Sequence, residues 1–350
     1  GDLGQGRLLG APDNATDVVL LTGSTSAPAR RTALLKAASG EAGIVIGTHA
    51  LLGEQVQFAD LGLVVIDEQH RFGVEQRAVL SGKAVEAPHV LVLTATPIPR
   101  SVAMTIFGDL ETSTLAELPA GRPDVSTVVV DAGLRPAWVD RAWQRVREEV
   151  SAGRQVFIVA PRIGGTKSGE GKGVVELAAE LRDGALAGLR LGVLHGQLPS
   201  EEKERVMAEF AVGDLDVLVA TTVIEVGVDV PNATMMVVWD ADRFGISQLH
   251  QLRGRIGRGT EPAVCLLLTT APPGESARAR LDAVAATRDG FQLAELDLEQ
   301  RREGDVLGAT QAGSRSSLRL LRVTEHADVI AQARDLAAEC VARDPGMTTP

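Results

Sequence analysis

The chain has 350 residues, more than one ordinary α/β core needs, so its length predicts two domains. Apolar residues make up 45% and charged residues 23%, which is typical of a globular protein. The formal net charge of −11 excludes a general electrostatic attraction for nucleic acid, so a nucleic-acid partner would need a local basic surface. With 3% aromatic residues and no Tyr, a base-stacking platform for single strands is not expected.

Cysteine usage and hydropathy favour a cytoplasmic protein. Cys265 and Cys340 are the only cysteines and do not form a metal-spaced pair, which indicates a reducing compartment. No apolar run approaches the length of a membrane span, and no basic, hydrophobic leader is seen, so we expect no membrane partner. The six histidines are scattered without ligand spacing, which argues against a metallohydrolase.

The first third of the chain repeats one pattern, a short apolar run followed by a small or polar cluster. The predicted strands are 18–21, 43–47, 63–66 and 89–93, and a helix is predicted over 27–38. This rhythm is typical of βαβ units in a parallel sheet. The functional edge of such a sheet lies at the carboxyl ends of its strands.

Two carboxylates stand at the end of one of these runs. Residues 63–66 are apolar without alternation, which predicts a strand buried on both faces, and Asp67 and Glu68 follow directly. One carboxylate at such a position can hold Mg²⁺, usually through water, while its neighbour polarises an attacking water. Taken alone, an Asp-Glu pair is more often a solvated acidic strand end.

A proline-rich break at 117–123 precedes a second set of similar units. Its predicted strands are 156–160, 191–194, 217–220 and 235–239, and a C-terminal amphipathic helix is predicted over 329–341. Residues 4–6 and 171–172 resemble parts of a phosphate loop. Both lack the flanking residues that such a loop needs, so we interpret them as ordinary loops.

An arginine-rich segment follows the last predicted strand. It contains Arg253, Arg255 and Arg258, with the glycines Gly254, Gly257 and Gly259 beside them. Glycine lets the backbone approach other groups closely, and the planar fork of arginine matches phosphate oxygens. An arginine at a transferring γ-phosphoryl group is worth roughly 10³–10⁵ in rate. The alternatives are a solvated basic turn, or a grip on a phosphate backbone without catalysis.

Four motifs come in the order and spacing of superfamily 2 helicases. They are Asp67-Glu-Gln-His70, Thr94-Ala-Thr96, residues 221–231 and Gln251-x-x-Gly-Arg-x-Gly-Arg258. Over nearly all of its length the chain resembles that superfamily. The longer phrases 67–77, 94–100 and 222–231 resemble the RecG family of bacterial branched-DNA translocases. Transcription-repair coupling factors share the 94–100 phrase but usually have Glu-Glu-Gln where this chain reads Glu68-Gln-His70.

The resemblance implies an α/β fold with two RecA-like parallel-sheet lobes, the first incomplete, followed by a helical hairpin and a C-terminal helical segment. It places the partial first lobe at 1–122, the second lobe at 123–288, and the hairpin with the C-terminal helix at 289–350. Residues 301–305 read Arg-Arg-Glu-Gly-Asp where the family has Arg-Gly-Pro-Gly-Glu, so the predicted turn departs from the family pattern. A surface hairpin with salt bridges is the alternative there.

The resemblance also implies roles for individual residues, with ATP and Mg²⁺ as cofactors. The catalytic set is Asp67, Glu68, Gln251, Arg255 and Arg258, with Asp67 holding Mg²⁺ through water. The nucleotide-binding set is Asp67, Glu68, Gly227, Asp229, Arg255 and Arg258. The coupling and DNA-facing set is Gln69, His70, Thr94, Thr96, Thr48, His49, Arg100, Thr222, Glu225, Arg301, Arg302 and Gln311. For Arg100, a structural role at a helix start is the alternative.

No Gly-x-x-x-x-Gly-Lys-Ser/Thr motif, the loop that cradles nucleotide phosphates, occurs in the sequence. In the family this loop and a DNA-reading wedge domain lie upstream, so we expect a C-terminal fragment that hydrolyses ATP poorly alone. The full protein is expected to be a monomeric, ATP-dependent DNA helicase that remodels stalled forks and Holliday junctions in recombination and repair. The alternatives are a non-catalytic DNA-binding or protein-interaction module, or a translocase of the transcription-repair coupling type.

Overall fold

A computed structural model describes residues 16–23, 25–68, 79–80, 82–83, 87–94, 113–115, 123–164, 172–225, 229–300 and 327–346. The chain divides into two compact units, Gly1–Ala95 and Thr96–Pro350. Each unit has its own hydrophobic clusters and its own parallel strands. No helix in the described part of the chain is long and apolar enough to span a membrane.

The first unit contains two pairs of parallel strands. Its elements are β1 (Asp17–Leu21), α1 (Ala27–Ser39), β2 (Ala42–Gly47), a 3-10 helix (His49–Leu52), β3 (Leu63–Ile66) and β4 (His89–Val92). β1 pairs with β2 and β3 pairs with β4, and no described strand bridges the two pairs. Leu51 packs against the hydrophobic clusters of both pairs and so links them. The predicted strands and helix are confirmed, with ends shifted by a residue.

The prediction that β3 is buried on both faces is wrong. Leu63 and Val65 are 58% and 55% exposed, whereas Val64 and Ile66 are buried beside Leu80. A parallel strand is buried on both faces only where helices cover both faces of its sheet. Among the described residues, the β3–β4 pair packs on one side only, so its alternate side chains meet solvent.

The strands of the first unit share this one-sided burial. Their exposed apolar side chains, called the open faces below, are Val18, Leu20, Ile44, Ile46, Leu63, Val65 and Leu91. Val18 is the register partner of Ile44, and Leu20 is the partner of Ile46, so each pair of strands presents contiguous apolar surface. Monomeric soluble proteins rarely expose large contiguous apolar patches, and such patches mark association sites or aggregation liabilities.

We expect the isolated chain to self-associate through the open faces. Replacing Ile46 and Val65 by lysine should return it to a monomer, because both side chains already face solvent and the charge opposes edge and face pairing. Sedimentation velocity over a concentration series measures this. Val212→Lys is the matched control, since it places a lysine at an exposed valine outside the open faces. A wild-type chain that stays monomeric throughout the series would contradict the prediction.

The second unit is built on a six-stranded, all-parallel sheet of order β5-β10-β9-β6-β8-β7. The strands are β5 (Val125–Asp131), β6 (Gln155–Val159), β7 (Leu191–Leu194), β8 (Val217–Ala220), β9 (Ala233–Val238) and β10 (Ala263–Thr269). The helices are α2 (Pro136–Ser151), α3 (Val174–Asp183), α4 (Ser200–Ala211), α5 (Ile246–Arg253), α6 (Ser276–Ala286), α7 (Gly290–Gln300) and α8 (Ala327–Arg343).

Helices cover both faces of this sheet. In β6, Val156 and Ile158 belong to the cluster under α2 and α3, whereas Phe157 and Val159 belong to the cluster under α4, α5 and α6. Every residue of β6 is therefore buried, which explains why its sequence is a continuous apolar run after Gln155. The predicted strands here and the C-terminal helix are confirmed, whereas β5 and β10 were not predicted.

Candidate functional site

Asp67, Glu68 and Thr94 come together at one edge of the first unit. Ile66 is the register partner of Val92, and the Leu93 amide donates to the Ile66 carbonyl at 2.8 Å. The two strands are parallel, so Asp67 and Glu68 leave β3 at the same edge at which Thr94 leaves β4. The sequence placed its carboxylates and this threonine at a common strand end, and the geometry agrees.

The backbone bends where the two carboxylates follow β3, and Glu68 has a strained backbone conformation. The Asp67 Oδ1 atom accepts a hydrogen bond from the Glu68 amide at 2.8 Å. Glu68 has a φ of 52°, in the left-handed region, which costs a residue with a Cβ on the order of 1–2 kcal/mol. Asp67 is exposed and Glu68 is half-buried. Carboxylate oxygens are the ligands that Mg²⁺ prefers, so the residues at this strand end fit the ion.

Thr48 and His49 occupy the corresponding position after β2. The Thr48 amide donates to the Leu21 carbonyl at 3.3 Å, which continues the β1–β2 ladder by one residue. The Thr48 carbonyl then accepts from the Leu51 amide and starts the 3-10 helix. Both side chains are exposed at the carboxyl end of the β1–β2 pair, where a ligand of this unit could reach them.

In the second unit, Arg258 and Asp229 form an ion pair. The Arg258 Nη1 atom lies 3.2 Å from the Asp229 Oδ1 atom, and the Arg258 Nε donates to the Gly254 carbonyl at 3.2 Å. The Arg258 side chain is 30% exposed and that of Asp229 is 68% exposed. Arg255 precedes this pair and is half-buried, as is Gln251 one helical turn earlier on α5.

Thr222 and Glu225 lie at the carboxyl ends of the parallel strands, whereas this ion pair lies at the amino ends. They delimit a 3-10 helix that begins right after the carboxyl end of β8, where the Thr221 amide donates to the Leu194 carbonyl. Asp229 belongs instead to the segment that leads into the amino end of β9. The motif 221–231 is continuous in sequence, but its first residues lie at the carboxyl ends of the strands and Asp229 lies toward the amino ends.

Some predicted residues lie outside the described part of the chain. They are Gln69, His70, Thr96, Arg100, Gly227, Arg301, Arg302 and Gln311, and for Glu225 only the backbone is described. Their assigned roles stay predictions.

Comparison with known proteins identifies the family. Three family descriptions match in succession: "DEAD/DEAH box helicase" at 8–105, "Helicase conserved C-terminal domain" at 141–260, and "ATP-dependent DNA helicase RecG, domain 3, C-terminal" at 287–350. A Mycobacterium tuberculosis protein described as "ATP-dependent DNA helicase RecG" is 57% identical over 348 residues, covering 97% of this chain and 47% of the relative. The chain is a homologue of the RecG helicase region.

Other comparisons agree with this assignment. The Bacillus subtilis RecG is 43% identical over 327 residues, covering 93% of this chain and 47% of the relative. A solved structure described as "Structure of RecG bound to three-way DNA junction" matches with a TM-score of 0.65 and 41% identity, over 91% of this chain and 39% of that chain. The predicted helicase fold with parallel sheets is thereby confirmed. The chain spans about half the length of the curated RecG relatives.

One of the three arginines in this RecG motif serves a different purpose from its neighbours. Arg253 is 4% exposed, and its Nη1 atom donates to the carbonyls of Val284 and Thr287 at 2.6 and 2.9 Å. The sequence motif by itself does not assign this arginine a role. A usable signal was present, because Ile246, Leu249 and Arg253 recur at the spacing of a buried helical stripe, and the first two are buried.

Residues 254–259, called the arginine loop below, contain two glycines, Gly257 and Gly259, that permit close packing, as predicted. Gly257 has a φ of 66°, and a Cβ added there would lie 2.9 Å from the Val125 Cγ2 atom. A Cβ added at Gly259 would lie 2.7 Å from the Pro231 carbonyl oxygen. The loop that carries Arg255 and Arg258 is therefore pressed against the start of β5 and the segment before β9.

Replacing Gly257 by alanine should lower the free energy of unfolding of the second unit by about 2–4 kcal/mol, from the left-handed backbone and the clash together. Urea denaturation followed by tryptophan fluorescence measures this, since all three tryptophans lie in that unit. Gly213→Ala is the matched control. Gly213 also has a left-handed φ, of 84°, but nothing lies within 4 Å of an added Cβ. Equal losses in the two variants would rule out the clash.

The two cysteines differ in environment. Cys265 is buried in β10, and burial raises the pKa of its thiol to about 12, so it is an inert core residue at neutral pH. Cys340 is exposed on α8. Across the described ranges, no group of three or more His, Cys, Asp or Glu side chains is arranged to hold a metal ion.

Proposed function

We propose that the chain is the motor region of a longer, ATP-dependent DNA helicase that remodels branched DNA. The observation that carries this proposal is 57% identity to a RecG protein over 97% of the chain. A RecG structure that is 41% identical is described as bound to a three-way DNA junction, which supports branched DNA as the substrate. Because the chain spans about half of its relatives, the activity is assigned to the longer protein.

The proposed chemistry uses carboxylates from the first unit. Asp67 would hold Mg²⁺ through water, and the ion when bound would neutralise charge on the β- and γ-phosphates. Glu68 would orient and polarise the attacking water. The left-handed backbone conformation of Glu68 supports this role, because residues held in such strained conformations cluster at functional sites.

The second unit would contribute two arginines that act on the ATP whose hydrolysis Asp67 and Glu68 promote. Arg255 and Arg258 would stabilise charge on the γ-phosphoryl group, with Gln251 beside them. Arg258 rests on Asp229, and an ion pair with so exposed a carboxylate is worth only about 0–1 kcal/mol. The guanidinium is thus kept in place by a partner that a phosphate, with more charge and more acceptors, can replace.

Hydrolysis would be coupled to DNA movement by residues at the strand ends. The proposed coupling and DNA-facing residues are Thr48, His49, Gln69, His70, Thr94, Thr96, Arg100, Thr222, Glu225, Arg301, Arg302 and Gln311. The longer protein would be monomeric and cytoplasmic. It would act on stalled replication forks and Holliday junctions in recombination and repair.

ATPase rates with and without forked DNA test the proposal, measured on this chain and on the longer protein side by side. We expect the longer protein to be stimulated by forked DNA and this chain to show little or no hydrolysis, since it lacks the phosphate-loop sequence. If neither protein responds to DNA, the motor assignment fails and a non-catalytic binding module takes its place. A chain as active as the longer protein would contradict the expectation that this chain alone hydrolyses ATP poorly.

A further inference from the structure

Arg253 is a buried cation at the junction of three helices. It is the last residue of α5, and its Nη1 atom reaches two carbonyls at the end of α6, those of Val284 and Thr287. Its Nη2 atom lies 3.0 Å from the His250 Nδ1 atom, one turn earlier on α5. A buried charge is costly unless it is hydrogen-bonded, and here the planar fork of arginine engages three acceptors at once.

His250 completes this junction as a neutral acceptor. Burial, followed by the nearby Arg253 charge, lowers the pKa of His250 to about 4, whereas Asp289 at the start of α7 acts in the opposite direction. The neutral ring accepts the Arg253 hydrogen bond at Nδ1, which places its own proton on Nε2. The Asp289 Oδ1 atom accepts from the Phe291 amide at 2.8 Å and so caps α7.

A short path leads from this junction to the arginine loop. Gly254 directly follows Arg253, and its amide donates to the His250 carbonyl at 3.1 Å. The Gly254 carbonyl in turn accepts from the Arg258 Nε at 3.2 Å. The Arg255 amide donates to the Leu252 carbonyl at 2.9 Å. The start of the loop is therefore set by the last turn of α5, which the Arg253 side chain fixes to α6.

We propose that Arg253 is a positioning residue for the arginine loop. By holding the last turn of α5 on the end of α6, it fixes Gly254, and through Gly254 the side chain of Arg258. The catalytic consequence rests on the proposed function, whereas the mechanical consequence does not. A bulky apolar residue would fill the same space without joining α5 to the carbonyls of α6, so the guanidinium contributes direction in addition to packing.

Hydrogen–deuterium exchange on the 350-residue chain tests the mechanical part. Arg253→Met should speed exchange of the amides in 254–257 by about tenfold or more, while the amides of β6, β8 and β9 keep their rates. Arg280→Met is the matched control, because Arg280, which lies on α6, also donates to a backbone carbonyl, but that carbonyl belongs to Asp242 and not to α5 or α6. Unchanged exchange in 254–257 would overturn the proposal.

A conservative variant covers the case in which Arg253→Met unfolds the unit. Arg253→Lys keeps a buried cation that can reach one of the carbonyls. Amide exchange in 254–257 should therefore be faster than in the wild type but slower than in Arg253→Met, and the change should be confined to these residues. His250→Asn keeps an acceptor near the Nδ1 position and should leave the loop protected. Uniform acceleration across the whole unit in both Arg253 variants would reduce the role of this residue to general stability and overturn the proposal.

Kinetics of the longer protein test the catalytic part. Arg253→Met should lower the kcat of ATP hydrolysis by about 10- to 100-fold, because a small misplacement of a catalytic group has an effect of this size. The KM for ATP and the number of nucleotide sites per chain should be nearly unchanged. In an Arg258→Lys background the same substitution should cause little further loss. An equal loss in both backgrounds would show that Arg253 does not act through Arg258. A wild type without DNA-stimulated hydrolysis defeats the proposed function and leaves the exchange result to decide the positioning role.

Discussion

Replacing Arg258 by alanine should reduce the kcat of DNA-stimulated ATP hydrolysis by the longer protein by about 10³- to 10⁵-fold, the range associated with a catalytic arginine in phosphoryl transfer. The physical reason is that, in the proposed site, charge on the γ-phosphoryl oxygens would lose the guanidinium that stabilises it. The position is suitable, because Arg258 is tethered by the Gly254 carbonyl and by an exposed carboxylate that a phosphate can displace. Steady-state ATPase assays at saturating forked DNA measure the effect.

Two variants separate catalysis from a loss of surface charge. Arg205→Ala removes an arginine of the same unit that also pairs with a carboxylate, Glu209, at 2.7 Å, and should leave kcat within about twofold. Asp229→Asn removes the ion-pair partner of Arg258 and should change kcat by less than about fivefold, since the exposed pair is worth little, whereas a loss of the predicted contact of Asp229 with nucleotide would change the KM for ATP. A fall of less than tenfold in Arg258→Ala would remove this residue from the catalytic set.

The arginine segment shows what sequence reasoning can and cannot resolve. Arginines at three nearby positions predicted a phosphate site, and the presence of glycines predicted close packing. Which arginine serves which purpose depends on where α5 ends. Arg253 is still on the helix and points with Leu249 into the core, whereas Arg258 lies in the loop beyond it. The spacing of the three arginines among themselves does not specify this direction. It follows from the position at which α5 ends and from the buried stripe of Ile246 and Leu249 that Arg253 continues.

The two sheets show a similar limit. The runs 63–66 and 156–159 are both apolar without alternation, yet β6 is buried on both faces and β3 on one. A strand sequence reports the surface it can bury, and the surrounding elements decide whether that burial occurs. β5 and β10 were not predicted, although both carry a strand signal. β5 alternates between more and less exposed positions, and β10 is a run of apolar residues from Ala263 to Leu268.

Replacing Glu68 by glutamine should lower kcat by about 10²- to 10⁴-fold while leaving ATP binding nearly intact. Glutamine has almost the same shape as glutamate, so the turn at this residue and the hydrogen bond from its amide to Asp67 are retained. What is lost is the negative charge that polarises water. Equilibrium binding of a fluorescent nucleotide and single-turnover hydrolysis, both on the longer protein, distinguish the two properties.

Asp67→Asn provides the contrasting variant, because the neighbouring carboxylates are assigned different tasks. If Asp67 holds the ion, its amide variant should weaken nucleotide binding in Mg²⁺ and require more Mg²⁺ for half-maximal hydrolysis, which Glu68→Gln should not. Glu41→Gln, at an exposed carboxylate elsewhere in the first unit, is the control for charge alone. Identical phenotypes in the two site variants would mean that the carboxylates share one role. Of the two neighbouring carboxylates, only Glu68 has a left-handed backbone conformation, so their side chains leave the chain from different backbone geometries, and the two variants test whether the proposed division of labour matches that difference.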